Sequence, residues 1–126
     1  MDKYVIYKLL HILGIALTVS GLAGLAVHGI NGGTRESNPS RKLMAMAHGI
    51  GMLLLLVAGF GLAAAKYNSP NAFALPWVHP KLLVYLLLGA APALLNRKPQ
   101  SGRWMFWAVP LLVVVAGYFA IAQPGG

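Results

Sequence analysis

The sequence predicts an all-α fold: one integral membrane domain, residues 1–126, built as a bundle of four transmembrane helices. Three observations predict it. Hydrophobic residues make up 58% of the chain and charged residues only 10%, against about 25% charged in ordinary soluble domains. The apolar residues gather into four runs, at about 4–27, 41–65, 79–95 and 104–122. A helix of roughly 20 residues, rising ~1.5 Å per residue, crosses a ~30 Å hydrocarbon core. Between the runs stand short segments marked by glycine, proline and charge, which break helices and turn the chain.

The first helix, about Tyr4 to Val27, has an apolar run too long for a cleaved signal peptide and no clear small-residue cleavage site after it. It is read as a retained span. Gly29 to Ser40 is a loop by its glycines and its Asn38-Pro39 pair. The second helix runs from about Arg41 to Ala65. A turn over Lys66–Asn71 follows, and then an apolar, proline-broken, interfacial segment from Ala72 to Val78. The third helix starts at His79-Pro80, since a proline in the first turn gives up an N–H that would be unpaired anyway. Counted to Leu95 it is short for a span, so it borrows depth from Trp77–His79 or sits where the bilayer is thin. Asn96 to Arg103 is a basic turn, and the fourth helix covers about Trp104 to Ala122. Pro92 and Pro110 fall inside helices. Each frees a carbonyl that, in a membrane, a neighbouring helix or polar side chain must satisfy.

The net charge of +8 belongs to residues that flank the apolar runs rather than forming a patch, and no nucleic-acid recognition module accompanies it. It reads as topology and contact with lipid headgroups. The loops after the first and third helices carry Arg35, Arg41, Lys42, Arg97, Lys98 and Arg103; the other side carries Lys3, Lys8, Lys66 and Lys81. That bias places the two loops in the cytoplasm and both termini outside.

With no cysteine and only Asp2 and Glu36 as acids, thiolate metal sites, iron–sulfur clusters and paired-carboxylate hydrolysis are excluded. Four histidines and two lysines near the membrane surface remain. By depth the histidines sort into an outer pair, His11 with His79, and an inner pair, His28 with His48. Imidazole is the usual ligand of haem b iron, and helices that each present one can clamp a porphyrin. Lys8 or Lys81 could meet the propionates. The blander readings stand beside this one: His28 as an interfacial residue, His79 as a helix cap, and both lysines snorkelling to headgroups. His11 is the best placed, because a histidine below the membrane surface is costly without a partner. Gly14, Thr18 and Gly21 share the face of His11, and Gly51 and Gly59 share that of His48. Small residues there let helices approach closely.

Lys8-Leu-Leu-His11, Trp77-Val-His-Pro-Lys81-Leu-Leu-Val and Arg103-Trp-Met-Phe-Trp-Ala-Val-Pro110-Leu-Leu resemble the HemJ-type protoporphyrinogen oxidases, small bacterial helical membrane proteins. The Trp77-x-x-x-Lys81-Leu pattern, followed by Leu88-Gly-x-x-x-Ala-Leu, is similar to the SirB family, another group of such proteins. The resemblance implies a bacterial inner membrane location, haem b with His11 as axial ligand, and Lys81 beside cofactor or substrate. Where the oxidases carry Asn-Glu before Val-Pro, this chain has Trp107-Ala108. The architecture and haem binding therefore carry over, and the oxidase activity does not.

Two function classes follow. One is a haem b protein with a redox or electron-transfer role and a porphyrin or redox partner, with His11, His79 and His48 as candidate iron ligands. The other is a non-enzymatic membrane protein, such as a helix-packing homo-oligomer, a small channel or an accessory subunit, whose histidines are structural. A bare metal site on His11 and His79 falls short of the three or four ligands such a site needs.

Overall fold

The computed structural model describes residues 2–67 and 72–124. It contains four long helices: α1 (Lys3–Ile30), α2 (Arg41–Tyr67), α3 (Val78–Arg97) and α4 (Gly102–Ala122). Short 3-10 turns at Ala72–Ala74 and Pro99–Ser101 precede α3 and α4, and no strand occurs among the described residues. All four helices are long and apolar enough to cross a membrane.

The ends differ from expectation by a few residues, each for a local reason. Asp2 caps α1, its carboxylate accepting from the Tyr4 amide at 3.3 Å, so the helix begins at Lys3. It runs on to Ile30, which puts His28 inside the last turn. Helix α3 starts at Val78 because the amides of Val78 and His79 already bond back to the carbonyls of Leu75 and Pro76. Pro80 then occupies the third helical position, still among the four residues whose N–H has no helical partner. With its far end at Arg97, α3 has 20 residues and needs no thinned bilayer. Residues 68–71 of the expected turn after α2 lie outside the described residues.

The helices alternate in direction. The last turns of α1 lie against the chain that opens α4: a Cβ on Gly29 would strike the Pro99 carbonyl, and one on Gly102 the Ala26 carbonyl. At the opposite end, Tyr4 and Lys8 of α1 share a cavity wall with Lys66 of α2, Lys81 of α3 and Gln123 beyond α4. The bundle thus has a loop end, bearing the α1–α2 and α3–α4 connections, and a terminal end, bearing both chain termini.

Helix α1 is the organising element. It packs along α2 backbone to backbone, because small residues line the seam. A Cβ on Gly21 would sit 2.6 Å from the Met44 carbonyl oxygen, and one on Gly14 2.9 Å from the Gly51 carbonyl oxygen. Thr18, fully buried, fills the space that Gly51 leaves. The glycine stripes expected from the sequence are therefore spent within the chain, between its own first two helices. At the loop end Leu22, Leu25, Ala26, Leu95, Met105 and Val109 form a close-packed core, where the void beside them measures only about 10 Å³.

The terminal half is packed differently. Helices α2 and α4 have no close approach anywhere along the bundle. Pro110 marks the point where α4 loosens from the core: Val109 is buried, from Pro110 to Ala122 no α4 residue is, and Leu112 and Ala116 still pack against the core while partly exposed. A proline inside a helix removes one backbone bond and permits a bend at that point. The bundle is closed at the loop end and open at the terminal end.

Pro92 does the same to α3, and here the consequence is resolved. A proline at position 92 has no N–H for the carbonyl four residues earlier, which is Leu88. His48 of α2 supplies the missing donor, its Nε2 lying 2.9 Å from the Leu88 oxygen. One turn along, Tyr85 Oη donates to the Met52 carbonyl at 3.1 Å. These two bonds tie α2 to α3, a pair otherwise in light contact.

Candidate functional site

The opening at the terminal end is a cavity of about 670 Å³ lined by all four helices, within the ~300–1,000 Å³ range of small-molecule sites. Its wall is mostly aliphatic and aromatic, as these spans dictate: Ile15 from α1, Leu55 and Phe60 from α2, Val84 and Leu88 from α3, and Val113 and Ala116 from α4. Its polar groups are confined to the end nearest the membrane surface. They are Tyr4, Lys8 and His11 of α1, Lys66 of α2, Lys81 of α3, and Gln123, with Tyr85 deeper and committed to Met52.

Each cation has a structural reason for its place. Lys8 and His11 are three residues apart and so share a face of α1. Lys81 lies four residues beyond Trp77, just inside α3, and its Nζ stands 5.5 Å from the centre of that buried indole ring. Lys66, in the last turn of α2, sits 3.5 Å from Tyr4 Oη and 5.1 Å from the Tyr4 ring centre. Lys8 and Lys81 are close enough to act on one another and on the His11 ring electrostatically. No acidic residue lines the cavity, so among the described residues Lys8 and Lys81 have no carboxylate to offset them. The wall is apolar below and positive above.

His11 carries the second anomaly. Its Nδ1 is buried with no hydrogen-bond partner. The Leu55 carbonyl is close enough to interact with the ring but not placed for a hydrogen bond to that nitrogen. Gly59 makes room for the ring: a Cβ there would lie 3.6 Å from its Cε1. A buried polar atom left unpaired costs about 1–3 kcal/mol, so this side chain is held at a loss. Thr18 Oγ1 is likewise unpaired, but it lies in the α1–α2 seam and not in the cavity.

The other three histidines lie elsewhere. Because a carbonyl only accepts, each of them must donate from Nε2. His48 donates to Leu88, as described. His28 donates to the Thr34 carbonyl at 2.7 Å, closing the α1–α2 loop together with Ser37. His79, exposed, donates to the Phe73 carbonyl at 2.8 Å and pins the 3-10 turn to the start of α3. Of the six candidates from sequence, the fold brings together Lys8, His11 and Lys81, and it places His28, His48 and His79 outside the cavity. No cluster of three or more histidine, aspartate or glutamate side chains forms a metal site among the described residues. Sequence reasoning missed Lys66 and Tyr4. Their position, one turn from the terminal end of their helices, was the available signal.

Comparison with known proteins adds one finding. The family model described as "Invasion gene expression up-regulator, SirB" matches residues 4–124. No curated protein and no solved structure gives a significant match. The match does not extend to the resemblance to HemJ-type oxidases. It runs through all four helices and every residue of the cavity wall, so the chain belongs to the SirB family.

Proposed function

We propose that this SirB-family membrane protein is a binding protein for an amphipathic anion, which it holds in the terminal-end cavity. The observation that carries the reading is the union of an apolar cavity of about 670 Å³ with a surface-side cluster of Lys8, His11, Lys66 and Lys81 and no acid. An apolar body fills the lower wall, and an acidic group meets the ammonium groups above. Charge-assisted bonds of that kind are roughly twice as strong as neutral ones. On the positive-inside bias, the site faces the outer side of a bacterial inner membrane.

Haem b is the occupant proposed first, because it would use the imidazole of His11 as well as the ammonium groups of Lys8 and Lys81. Its propionates suit Lys8 and Lys81, and its iron takes an imidazole. His11 fits that role through Nε2, its Nδ1 being the nitrogen buried away from solvent. The single imidazole in the wall supports one axial ligand from this chain rather than a clamp between two histidines. When bound, haem would supply one-electron redox chemistry. The protein's own part is to orient it, neutralise its acids and keep water from its lower face. A membrane site that holds a small ligand is compatible with the regulatory role in the family's description.

The test is an optical spectrum of the purified protein supplied with hemin. The expected result is a Soret band shifted from that of free hemin, lost in His11→Ala with the fold intact. Protein that leaves the hemin spectrum unchanged would sink the haem assignment. The competing reading, a packing oligomer, finds less support, since Gly14, Gly21 and Gly51 are occupied by contacts within the chain.

A further inference from the structure

The cavity has a side opening as well as a polar rim, and the two together narrow the class of ligand. Three of its wall residues are also among the exposed large hydrophobics: Ile12 of α1, Phe60 of α2 and Ile121 of α4, at 51%, 41% and 88% exposure. All three are apolar and belong to helices long and apolar enough to span the membrane, so at each of them the cavity wall also meets lipid. The part of the wall that α4 supplies lies wholly beyond Pro110, where no residue of that helix is buried, and α2 makes no close approach to α4 to cover it. On that stretch Gly117 lines the cavity, and a Cβ added there would meet nothing within 4 Å.

We infer that the site loads from the bilayer and takes lipid-phase acids: single-tail or flat amphiphiles whose carboxylate or phosphate sits at Lys8 and Lys81. This rests on the reading of the cavity as a site for an amphipathic anion, and not on haem being that anion. Charge complementarity decides the occupant. Inside a bilayer an apolar tail gains almost nothing by moving from lipid to a leucine-lined wall, because the two are equally apolar. Selection between amphiphiles must therefore come from the headgroup. Two ammonium groups without a carboxylate between them prefer an acid to its neutral ester. The cavity's polar end is also its membrane-surface end, so an amphiphile already lying in the leaflet slides in without turning over. A small water-soluble anion has no tail to fill the space below.

Trp77 reports occupancy directly, since it lines the cavity and is buried, whereas Trp104 and Trp107 are exposed on the loop-end half of α4. In a Trp104→Phe/Trp107→Phe background it is the one indole of the chain. The full chain is reconstituted in lipid nanodiscs and exposed to dibromostearic acid, to its methyl ester, and to bromoacetate. The expected result is saturable quenching of Trp77 by the acid, at least about tenfold more effective than by the ester at equal membrane concentration, and none by bromoacetate. Lys8→Gln/Lys81→Gln should abolish the preference for the acid. Gly117→Phe adds a ring at a cavity-wall position where a Cβ meets nothing within 4 Å and should abolish the saturable component. Gly49→Phe, which also meets open space but lies away from the cavity, should change nothing. Equal quenching by acid and ester, quenching by bromoacetate, or an acid preference that survives Gly117→Phe overturns the inference. An unshifted hemin spectrum with the acid preference intact would remove haem and leave the inference standing. A hemin shift without any acid quenching would do the reverse.

Discussion

The bond from His48 to Leu88 makes an unusual prediction, because its need was created by another residue. Pro92 cannot bond the Leu88 carbonyl, and His48 Nε2 does so from the neighbouring helix at 2.9 Å. Replacing His48 by leucine keeps the side chain apolar and leaves that carbonyl unpaired in a region without water. The loss of a typical bond is about 0.5–1.5 kcal/mol, and leaving a buried group unsatisfied costs about 1–3. Interhelical bonds measured in membranes average only ~0.6 with a maximum near 1.7. A cost of about 1–2 kcal/mol is therefore expected for His48→Leu. Pro92→Ala restores an N–H four residues after Leu88, within α3 itself. In that background His48→Leu should cost less than about half as much, giving a coupling of about 1 kcal/mol between residues on different helices. The assay is a double-mutant cycle on reversible unfolding in mixed micelles. An equal cost for His48→Leu in the wild-type chain and in the Pro92→Ala background would refute the reasoning, and His48 would then need another role.

Two further perturbations probe the same framework. Gly21→Leu forces a side chain into the Met44 carbonyl, where even a Cβ would lie 2.6 Å away, and should destabilise by about 3 kcal/mol or more, beyond ordinary overpacking. Gly49→Leu faces open space and should be nearly silent; comparable melting shifts for the two would contradict the assigned α1–α2 seam. Tyr85→Phe removes the bond to the Met52 carbonyl and should cost about 0.5–1.5 kcal/mol, measured by unfolding in micelles. A larger cost would mean that more than this bond holds α2 to α3.

The helices were legible because length and hydropathy are local properties, and a ~30 Å core demands nearly the same stretch of each. Their ends were less so, since α3 begins at Val78 through turn bonds to Leu75 and Pro76 that no propensity encodes. The freed carbonyl of Leu88 was legible from Pro92; the identity of its donor was not, because that depends on the rotation of α2 about its axis. The same rotation decided the site. Depth alone paired His11 with His79, but depth does not say which way a side chain faces, and His79 turns to Phe73 while Lys81, two residues on, lines the cavity. Lys66 escaped notice because its link to Tyr4 joins residues 62 positions apart. The glycine stripes were read correctly as close-approach surfaces, and only the structure shows that the partner is the chain's own second helix.

The claim that matters most is that Lys8 and Lys81 hold the acidic end of an occupant. A titration of the nanodisc-embedded protein with hemin, followed at the Soret band, tests it directly when run on wild type and on Lys8→Gln/Lys81→Gln. Saturable binding to wild type is expected, with an affinity at least about tenfold lower in the variant, a difference of about 1.4 kcal/mol. Equal affinities for the two proteins would contradict it, whereas no saturable binding to wild type would remove haem as the occupant and move the same comparison to dibromostearic acid.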